Sequence, residues 1–313
     1  MNKRKRITRL AAIAIACILI LAAFIVISYV TQFKKSERQT GFTVIDDYGR
    51  VVTAPKNPQR IISLAPGCTE IIFAVGLGTR VIGVDDYSNY PEAAKNITKI
   101  GSYLNPNLEV IVSLEPDLIL ASDMTSKEYI TSLEEKKLTV FVLAPKAIQG
   151  IIRDVRLVGI IGNKTKEADN LTNSLEQRIN AITSKTSNSS LYRPKVYVEY
   201  YSCWTYGPGS FGNDLISMAG GKNIAATTAT AYSEITNEFV VASDPELIVF
   251  TVGLHTSTTI KDIKSRTGWD KVGAVQNNKI YTIDDDIISR AGPRIVDALE
   301  QLAKLIHPDL FPS

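Results

Sequence analysis

The sequence has few of the residues that bind metals or cross-link small domains. Three of its 313 residues are cysteine and two are histidine. Three cysteines give no disulfide framework, and although a bridge between Cys68 and Cys203 is conceivable outside the cell, we expect both thiols to be free. His255 and His307 are far apart in the chain, whereas imidazole metal sites need more histidines at short spacing. We therefore expect no metal and no cofactor.

Motifs for covalent catalysis are also lacking. No G-x-S-x-G turn precedes a helix, and no Ser, His and Asp set suggests a triad. The stretch GPGSFG at 207–212 formally satisfies G-x-G-x-x-G. A dinucleotide site needs the first glycine directly at the end of a strand, but SCWTY intervenes here. We therefore expect GPGSFG to form a turn, and we expect the protein not to be an enzyme. An anchored nucleotide-dependent α/β enzyme stays as a remote alternative.

The charge is distributed unevenly along the chain. Residues 1–35 hold seven of the 35 basic side chains and none of the 32 acidic ones, so the remainder is net negative. Such a balance excludes a polyanion-binding protein, and we expect no nucleic-acid partner.

The basic N-terminus flanks a long apolar run. Leu10–Val30 contains no charged residue, and 21 residues suffice for a helix that crosses a bilayer. The flank MNKRKRITR favours a cytoplasmic N-terminus. For residues 1–35 we predict a single-pass anchor in the cell membrane, with the remainder outside the cytoplasm, although a cleaved signal segment stays open. We interpret Cys17 as an apolar residue of this span.

The next part of the chain alternates between strand and helix patterns. Residues 36–57 are predicted to be a tether and a β-hairpin with an Asp-Tyr-Gly turn. Residues 58–146 alternate buried strands with short helices, which is typical of a parallel α/β sheet. Residues 147–184 repeat apolar positions at helical spacing, interrupted at Gly162-Asn163, and predict either one kinked helix or two consecutive helices.

Residues 185–313 alternate again and repeat part of the first block. Glu109 precedes Pro116 and DLIL, and Glu238 precedes Pro245 and ELIVF, at the same spacing. Each unit predicts a helix that ends before the proline, followed by a buried strand. The sequence therefore predicts two similar α/β lobes joined by a helical connection.

Aromatic residues cluster after predicted strands in both blocks. In open α/β sheets ligands lie beyond the carboxyl ends of the strands, so two facing lobes would form a ring-lined cleft. We expect about half of these rings to line the cleft and the rest to lie in the core. They are Tyr87, Tyr90, Tyr103, Tyr200, Tyr201, Trp204, Tyr206 and Tyr232.

Three stretches closely resemble a known family. LAP-x-x-TE, NPNLE and R-x-GPR, within RIISLAPGCTE, IGSYLNPNLE and SRAGPRIVDALE, are similar to the class III substrate-binding proteins of ABC importers, and most to their cobalamin-binding branch. The resemblance covers roughly residues 42–312. It implies two Rossmann-like α/β lobes joined by a long rigid helix, with cobalamin or another corrinoid held between them.

The resemblance also implies site residues. Tyr87 matches the family's ring-contacting tyrosine, while Tyr103 and Tyr232 stand where the family has tryptophan. With Trp204, these are the predicted aromatic contacts. The family's ligand-contacting loop, Asp-x-x-x-Arg, matches Asp286, Ile287, Ile288, Ser289 and Arg290.

Partners follow from the same resemblance. Glu109 and Glu238 match paired glutamates that dock onto arginines of the importer's permease subunits, which work with an ATPase. Because of the substitutions at Tyr103 and Tyr232, a ferric siderophore or haem stays open as the ligand.

Overall fold

The computed structural model describes residues 20–24, 41–253 and 256–312. Most of the predicted span Leu10–Val30 lies outside these residues, as do Cys17 and His255. In the described part of the chain, no helix combines the length and apolar character that crossing a membrane requires.

The first lobe is built on a four-stranded parallel sheet in the order β4-β3-β7-β8. Nearly every residue of these strands is buried, because helices cover both faces of the sheet. The predicted alternation of strands and helices is present. Its elements are β3 (Ile61–Ser63), α1 (Pro66–Ala74), β4 (Val81–Val84), α2 (Leu108–Ser113), β7 (Leu118–Ser122), α3 (Lys127–Glu135) and β8 (Val140–Leu143).

Two small antiparallel pairs are attached to this lobe. The predicted N-terminal hairpin consists of β1 (Phe42–Ile45) and β2 (Val51–Ala54), with its turn stabilised by Asp46, whose Oδ1 accepts the backbone N–H of Tyr48 at 3.0 Å. A second pair comprises β5 (Gly101–Ser102) and β6 (Asn105–Pro106).

The second lobe has a six-stranded sheet in the order β12-β10-β9-β13-β14, with β11 also paired to β9. The strands β9, β13 and β14 are parallel, as predicted, and the short strand β11, which was not predicted, also pairs in parallel with β9. β10 and β12 are antiparallel and make the sheet mixed. The bounds are β9 (Lys195–Tyr201), β10 (Trp204–Tyr206), β11 (Lys222–Asn223), β12 (Tyr232–Glu234), β13 (Leu247–Val252) and β14 (Ile280–Asp284).

Short helices surround this second sheet. The stretch GPGSFG forms a turn into the first of them, where the Ser210 side chain accepts the backbone N–H of Asn213 as the N-cap. The helices are α6 (Phe211–Met218), α7 (Asn237–Ser243), α8 (Ile260–Lys264), α9 (Gly273–Gln276), α10 (Asp285–Ile288) and α11 (Ile295–Ile306).

A pair of helices connects the lobes, α4 (Ile148–Ile161) and α5 (Thr165–Thr186). The sequence left one kinked helix and two consecutive helices open for residues 147–184, and two helices are present. The single long helix that the resemblance implied is therefore replaced by a pair. Its longer member, α5, has 22 residues and spans about 33 Å at 1.5 Å per residue.

The two helices of this pair lie side by side and antiparallel. Arg156 on α4 forms an ion pair with Glu176 on α5 at 2.9 Å. Nearer the turn, Gly159 faces Ala168 so closely that a Cβ at position 159 would overlap the Ala168 Cβ. The absence of a side chain at Gly159 thus permits the close packing of the helices.

Each helix of the pair packs into both lobes. On α4, Ile148 and Ile152 belong to the core of the second lobe, whereas Val155 and Ile161 belong to the core of the first. The N–H of Ile148 also donates to Asp214 of the second lobe at 2.9 Å. Because both helices are embedded at each end, the connection resists bending, and we call it the strut.

Both cysteines in the described residues are free, as expected. Cys68 is buried in the first lobe, where burial raises the pKa of its thiol.

Candidate functional site

The two lobes meet at the carboxyl ends of their parallel strands. The loop after β4 contacts the short helix α10, which directly follows β14; Asn89 Nδ2 donates to Asp286 Oδ2 at 3.0 Å. In open α/β sheets this edge is where ligands bind. The predicted cleft is therefore the space that these loops border.

A cavity of about 440 Å³ opens between the lobes. Its volume is within the range of small-molecule sites. The first lobe contributes the N-terminal hairpin, the loops after β7 and β8 and the start of α3. The second lobe contributes the GPGSFG turn and the start of β12. The polar and aromatic residues that line it include Asp47, Tyr48, Asp123, Lys127, Lys146 and Tyr232.

Tyr232 belongs to a cluster of three tyrosines in the second lobe. Its ring centroid lies 6.2 Å from that of Tyr200 and 6.3 Å from that of Tyr206. Burial raises the pKa of Tyr200 to about 12 and also raises that of Tyr232. Burial raises the pKa of Tyr206 as well, so all three phenols are neutral at physiological pH. Tyr232, the member that lines the cavity, therefore presents an aromatic ring and a hydroxyl group without charge.

Trp204 does not line this cavity. It begins β10, half-buried, and pairs in register with Glu234 of β12. The neighbouring Tyr206 is fully buried and donates its hydroxyl to the Ile288 carbonyl at 3.1 Å. Tyr206 therefore supports the predicted ligand loop from below.

Tyr87 and Tyr103 form a second aromatic group, in the first lobe. Their ring centroids lie 5.3 Å apart at an interplanar angle of 57°. Burial is the main cause that raises the pKa of Tyr103, and the neighbouring Tyr87 adds to the effect. The two rings are outside the lining of the 440 Å³ cavity, so the aromatic surface extends along the lobe boundary beyond it.

A buried polar chain fixes the loop that carries Tyr87. Asp85 is fully buried, and its carboxylate accepts the Tyr87 N–H at 2.9 Å and the Ser88 hydroxyl. Ser88 in turn contacts Thr69 at 2.7 Å, and Thr69 donates to Ser63 at 2.8 Å. Burial raises the pKa of Asp85. These bonds hold the loop in one conformation.

The predicted ligand loop is largely helical in its first half. The side chains of Ile287 and Ile288 are buried in the core of the second lobe, so only their backbone can face a ligand. Ser289 is exposed, and its hydroxyl donates to Asp285 at 2.7 Å. Asp286 is partly exposed and faces the first lobe.

Arg290 is bound mainly to protein groups. Its guanidinium donates to Asp286 at 2.5 Å, to Asn89 at 2.8 Å, to Glu70 at 3.3 Å and to the Tyr87 carbonyl at 3.4 Å. The side chain is 11% exposed. The role that the resemblance implied for Arg290, contact with the ligand, stays a prediction. In this structure its guanidinium bonds groups of both lobes.

The two predicted docking acids occupy equivalent positions. Glu109 is the second residue of α2 and Glu238 the second residue of α7, and both are exposed. Each helix begins at a side-chain cap, from Asn107 and Thr236 respectively. Hydrogen bonds from its own backbone N–H and from Thr236 lower the pKa of Glu238. The similarity of the two sequence blocks therefore extends to three dimensions.

Glu70 is a residue that the sequence reasoning overlooked. It is a buried acid on α1, where it accepts hydrogen bonds from Arg294 and Arg290. A lone carboxylate within the apolar stretch TEIIFAVG could have predicted this role, because a charge buried in a helix requires a partner of opposite charge. The described residues contain no His, Cys, Asp and Glu group that could hold a metal ion.

Comparison with known proteins identifies the family. The sequence profile of the family described as periplasmic binding protein matches residues 61–287. The chain belongs to this family. The family consists of solute-binding proteins, not enzymes.

Two relatives and one solved structure illustrate the similarity. The chain is 32% identical over 277 residues to an uncharacterized ABC transporter substrate-binding lipoprotein, YvrC, of Bacillus subtilis, covering 86% of each chain. It is 26% identical over 285 residues to a cobalamin-binding protein of Halobacterium salinarum, covering 88% of this chain and 77% of that one. The periplasmic vitamin B12 binding protein of Vibrio cholerae superposes with a TM-score of 0.72 at 24% identity, covering 83% of this chain and 100% of the other. The fold is therefore the class III one, with its two α/β lobes, that the resemblance implied.

Proposed function

We propose that the protein binds cobalamin or a related corrinoid between its lobes and delivers it to an ABC importer. It is the substrate-binding component of such an importer. The observation that carries the choice of ligand is the aromatic surface contributed by both lobes, with Tyr87 and Tyr103 on one side and Tyr232 on the other. The relationship to a cobalamin-binding protein supports the same choice.

The chemistry of the cleft suits a broad ligand with apolar faces and polar edges. Neutral tyrosine rings offer flat contact area, and each well-placed ring contact contributes about 0.5–1.5 kcal/mol. Around the cavity, Asp47 and Asp123 supply acceptors, while Lys127 and Lys146 supply donors. Carboxamide groups both donate and accept hydrogen bonds, so the amide arms of a corrinoid fit this mixed lining.

The permease subunits are the proposed protein partner. Glu109 and Glu238 are exposed acids, one on each lobe, at the start of equivalent helices. Two arginine-bearing surfaces of a membrane partner would meet both lobes at once, which orients the cleft relative to the transport path.

Membrane attachment is proposed to use the N-terminal apolar run Leu10–Val30 as a single-pass anchor, with the lobes outside the cytoplasm. The Bacillus subtilis relative is named a lipoprotein. Mass spectrometry of the N-terminal peptide distinguishes the two modes, because a span leaves Cys17 unmodified and at its original position, whereas a lipid anchor would place a modified cysteine at a new N-terminus.

Titration calorimetry of the full chain in detergent tests the ligand. Cyanocobalamin and dicyanocobinamide are compared with haemin and a ferric catecholate. We expect micromolar or tighter binding of a corrinoid and no saturable binding of the other two. Binding of haemin alone, or of no corrinoid, contradicts the proposal.

Matched variants locate the binding site. Tyr87→Ala and Tyr232→Ala each remove a ring from one side of the cleft, and we expect a roughly tenfold higher Kd, equivalent to about 1.4 kcal/mol. Tyr192→Ala is the control, since Tyr192 is 69% exposed on the outer surface. Equal affinities for all three variants would place the ligand elsewhere.

A further inference from the structure

A buried carboxylate of the first lobe binds two arginines of the second. Glu70, on α1, has a side chain that is 2% exposed. Its Oε2 accepts from Arg294 Nε at 3.0 Å, and its Oε1 accepts from Arg294 Nη2 at 2.6 Å and from Arg290 Nη1 at 3.3 Å. One carboxylate therefore anchors both charged ends of the segment RAGPR.

Asn89 extends these contacts on the first lobe. Its Oδ1 accepts from Arg290 at 2.8 Å, while its Nδ2 donates to Asp286 at 3.0 Å. The guanidinium of Arg294 also lies 4.0 Å from the ring centroid of Tyr90. We call the set formed by Glu70, Asn89, Asp286, Arg290 and Arg294 the interlobe clasp.

The backbone is shaped for this contact. A Cβ on Gly67 of α1 would lie 2.9 Å from the Ala291 carbonyl oxygen, and a Cβ on Gly292 would lie 3.1 Å from Glu70 Oε2. Position 67 thus needs glycine and position 292 leaves little room for a side chain, because the turn of the second lobe lies directly against α1.

The clasp is balanced in charge and well bonded. Two guanidinium groups meet the carboxylates of Glu70 and Asp286, at distances from 2.5 to 3.3 Å. Buried charges in such a set stabilise the assembly only while all partners remain, because removing one leaves another uncompensated. The clasp is therefore sensitive to the loss of a single charge.

We propose that Glu70 is a positioning residue that fixes the width of the ligand cleft. Arg290 belongs to the predicted ligand loop of the second lobe and also binds the Tyr87 carbonyl of the first. Through the two arginines, Glu70 holds ligand-facing segments of both lobes in register before any ligand arrives. Such pre-organisation lowers the ordering cost of binding. The effect on affinity rests on the proposed corrinoid-binding function, whereas the effect on lobe geometry does not.

The geometric test measures the distance between the lobes without ligand. Spin labels are placed at exposed positions, Thr131 on α3 and Lys271 in the second lobe, in the full chain with Cys17 and Cys203 replaced by serine. Double electron–electron resonance is expected to give one narrow distance distribution for the parent protein and a clearly broader one for Glu70→Gln. An unchanged distribution overturns the proposal.

Glu199→Gln is the matched control. Glu199 is equally buried and pairs with Arg266 through two bonds of 2.5 and 2.7 Å, but both residues lie within the second lobe. We expect this variant to lower the melting temperature and to leave the interlobe distance unchanged. Equal broadening in both variants would mean general loosening and would refute a specific role of the clasp.

The affinity test uses dicyanocobinamide as the probe. For Glu70→Gln we expect a Kd about tenfold higher than that of the parent, and for Glu199→Gln no change. If Glu70→Gln fails to fold, Asn89→Ala replaces it, because this change removes interlobe bonds without leaving a buried charge unpaired. If the parent binds no corrinoid, the proposed function fails while the distance measurement still decides the role of Glu70.

Discussion

Asp154 should make the stability of the strut depend on pH. It is fully buried in α4, and its Oδ1 accepts from Arg153 at 3.0 Å, whereas its Oδ2 meets no N–H or O–H donor among the described residues. The pKa of Asp154 is raised to about 8, mainly by burial and secondly by the negative charge of Asp47. The substitution Asp154→Asn keeps the shape of the side chain and removes its titration.

The sign follows from proton linkage. Because the folded-state pKa lies above the ordinary value of 3.8, the folded protein holds the Asp154 proton between about pH 4 and 8, while the unfolded chain has lost it. The free energy of unfolding therefore falls as the pH rises through this window, by at most about 1.4 kcal/mol per pH unit. The full slope applies wherever the folded state holds this proton and the unfolded chain has lost it.

Urea unfolding at pH 5 and pH 7 measures the effect. Relative to Asp154→Asn, the parent protein should lose about 2–3 kcal/mol of unfolding free energy between these values. The comparison cancels the contributions of all groups that titrate equally in both proteins. Glu135→Gln, at an exposed site, is the control, and its pH dependence of the unfolding free energy should match that of the parent. Parallel pH profiles for the parent and Asp154→Asn would refute a buried, protonated Asp154.

Three further predictions concern docking, packing and loop support. Glu109→Arg and Glu238→Arg should each lower corrinoid uptake by cells at least tenfold without changing the Kd of the purified protein. The control Glu135→Arg should change neither uptake nor Kd. Weaker corrinoid binding by the first two variants would contradict a docking role. Gly159→Val should lower the free energy of unfolding by about 1–3 kcal/mol in urea, because the added side chain overlaps the facing helix, and an unchanged midpoint would be inconsistent with close packing of the strut. Tyr206→Phe should cost about 1 kcal/mol in the same assay, since a buried carbonyl loses its donor, and a neutral result would mean that the hydroxyl does not support the ligand loop.

Regular periodicity made much of the fold predictable. Buried runs such as LTVFVL gave the parallel strands, and the break at Gly162-Asn163 marked where α4 and α5 separate. The strands β10 and β12 were missed because the aromatic and hydroxyl-rich stretches around Trp204 and Tyr232 have neither clear alternation nor a short turn between them. β10 pairs with β9, and β12 in turn pairs with β10, so both strands depend on an existing sheet edge.

The candidate site was predictable in its residue types but not in its pairings. The clustering of tyrosines after strands placed Tyr232 at the cleft. By contrast, the partners of Glu70 lie 220 and 224 positions along the chain, and one sequence alone does not show which distant charges meet. The burial of Ile287 and Ile288 likewise depends on how the loop packs against the core of the second lobe.

The strut has a consequence for cargo release. The chain passes from one lobe to the other three times, first between β8 and the start of α4 and then along each of the two antiparallel helices. No rotation about a single backbone bond can therefore swing the halves apart. Widening the cleft therefore requires a force applied to both lobes from outside, and the proposed docking acids, one on each lobe, would give the importer two separate points of attachment.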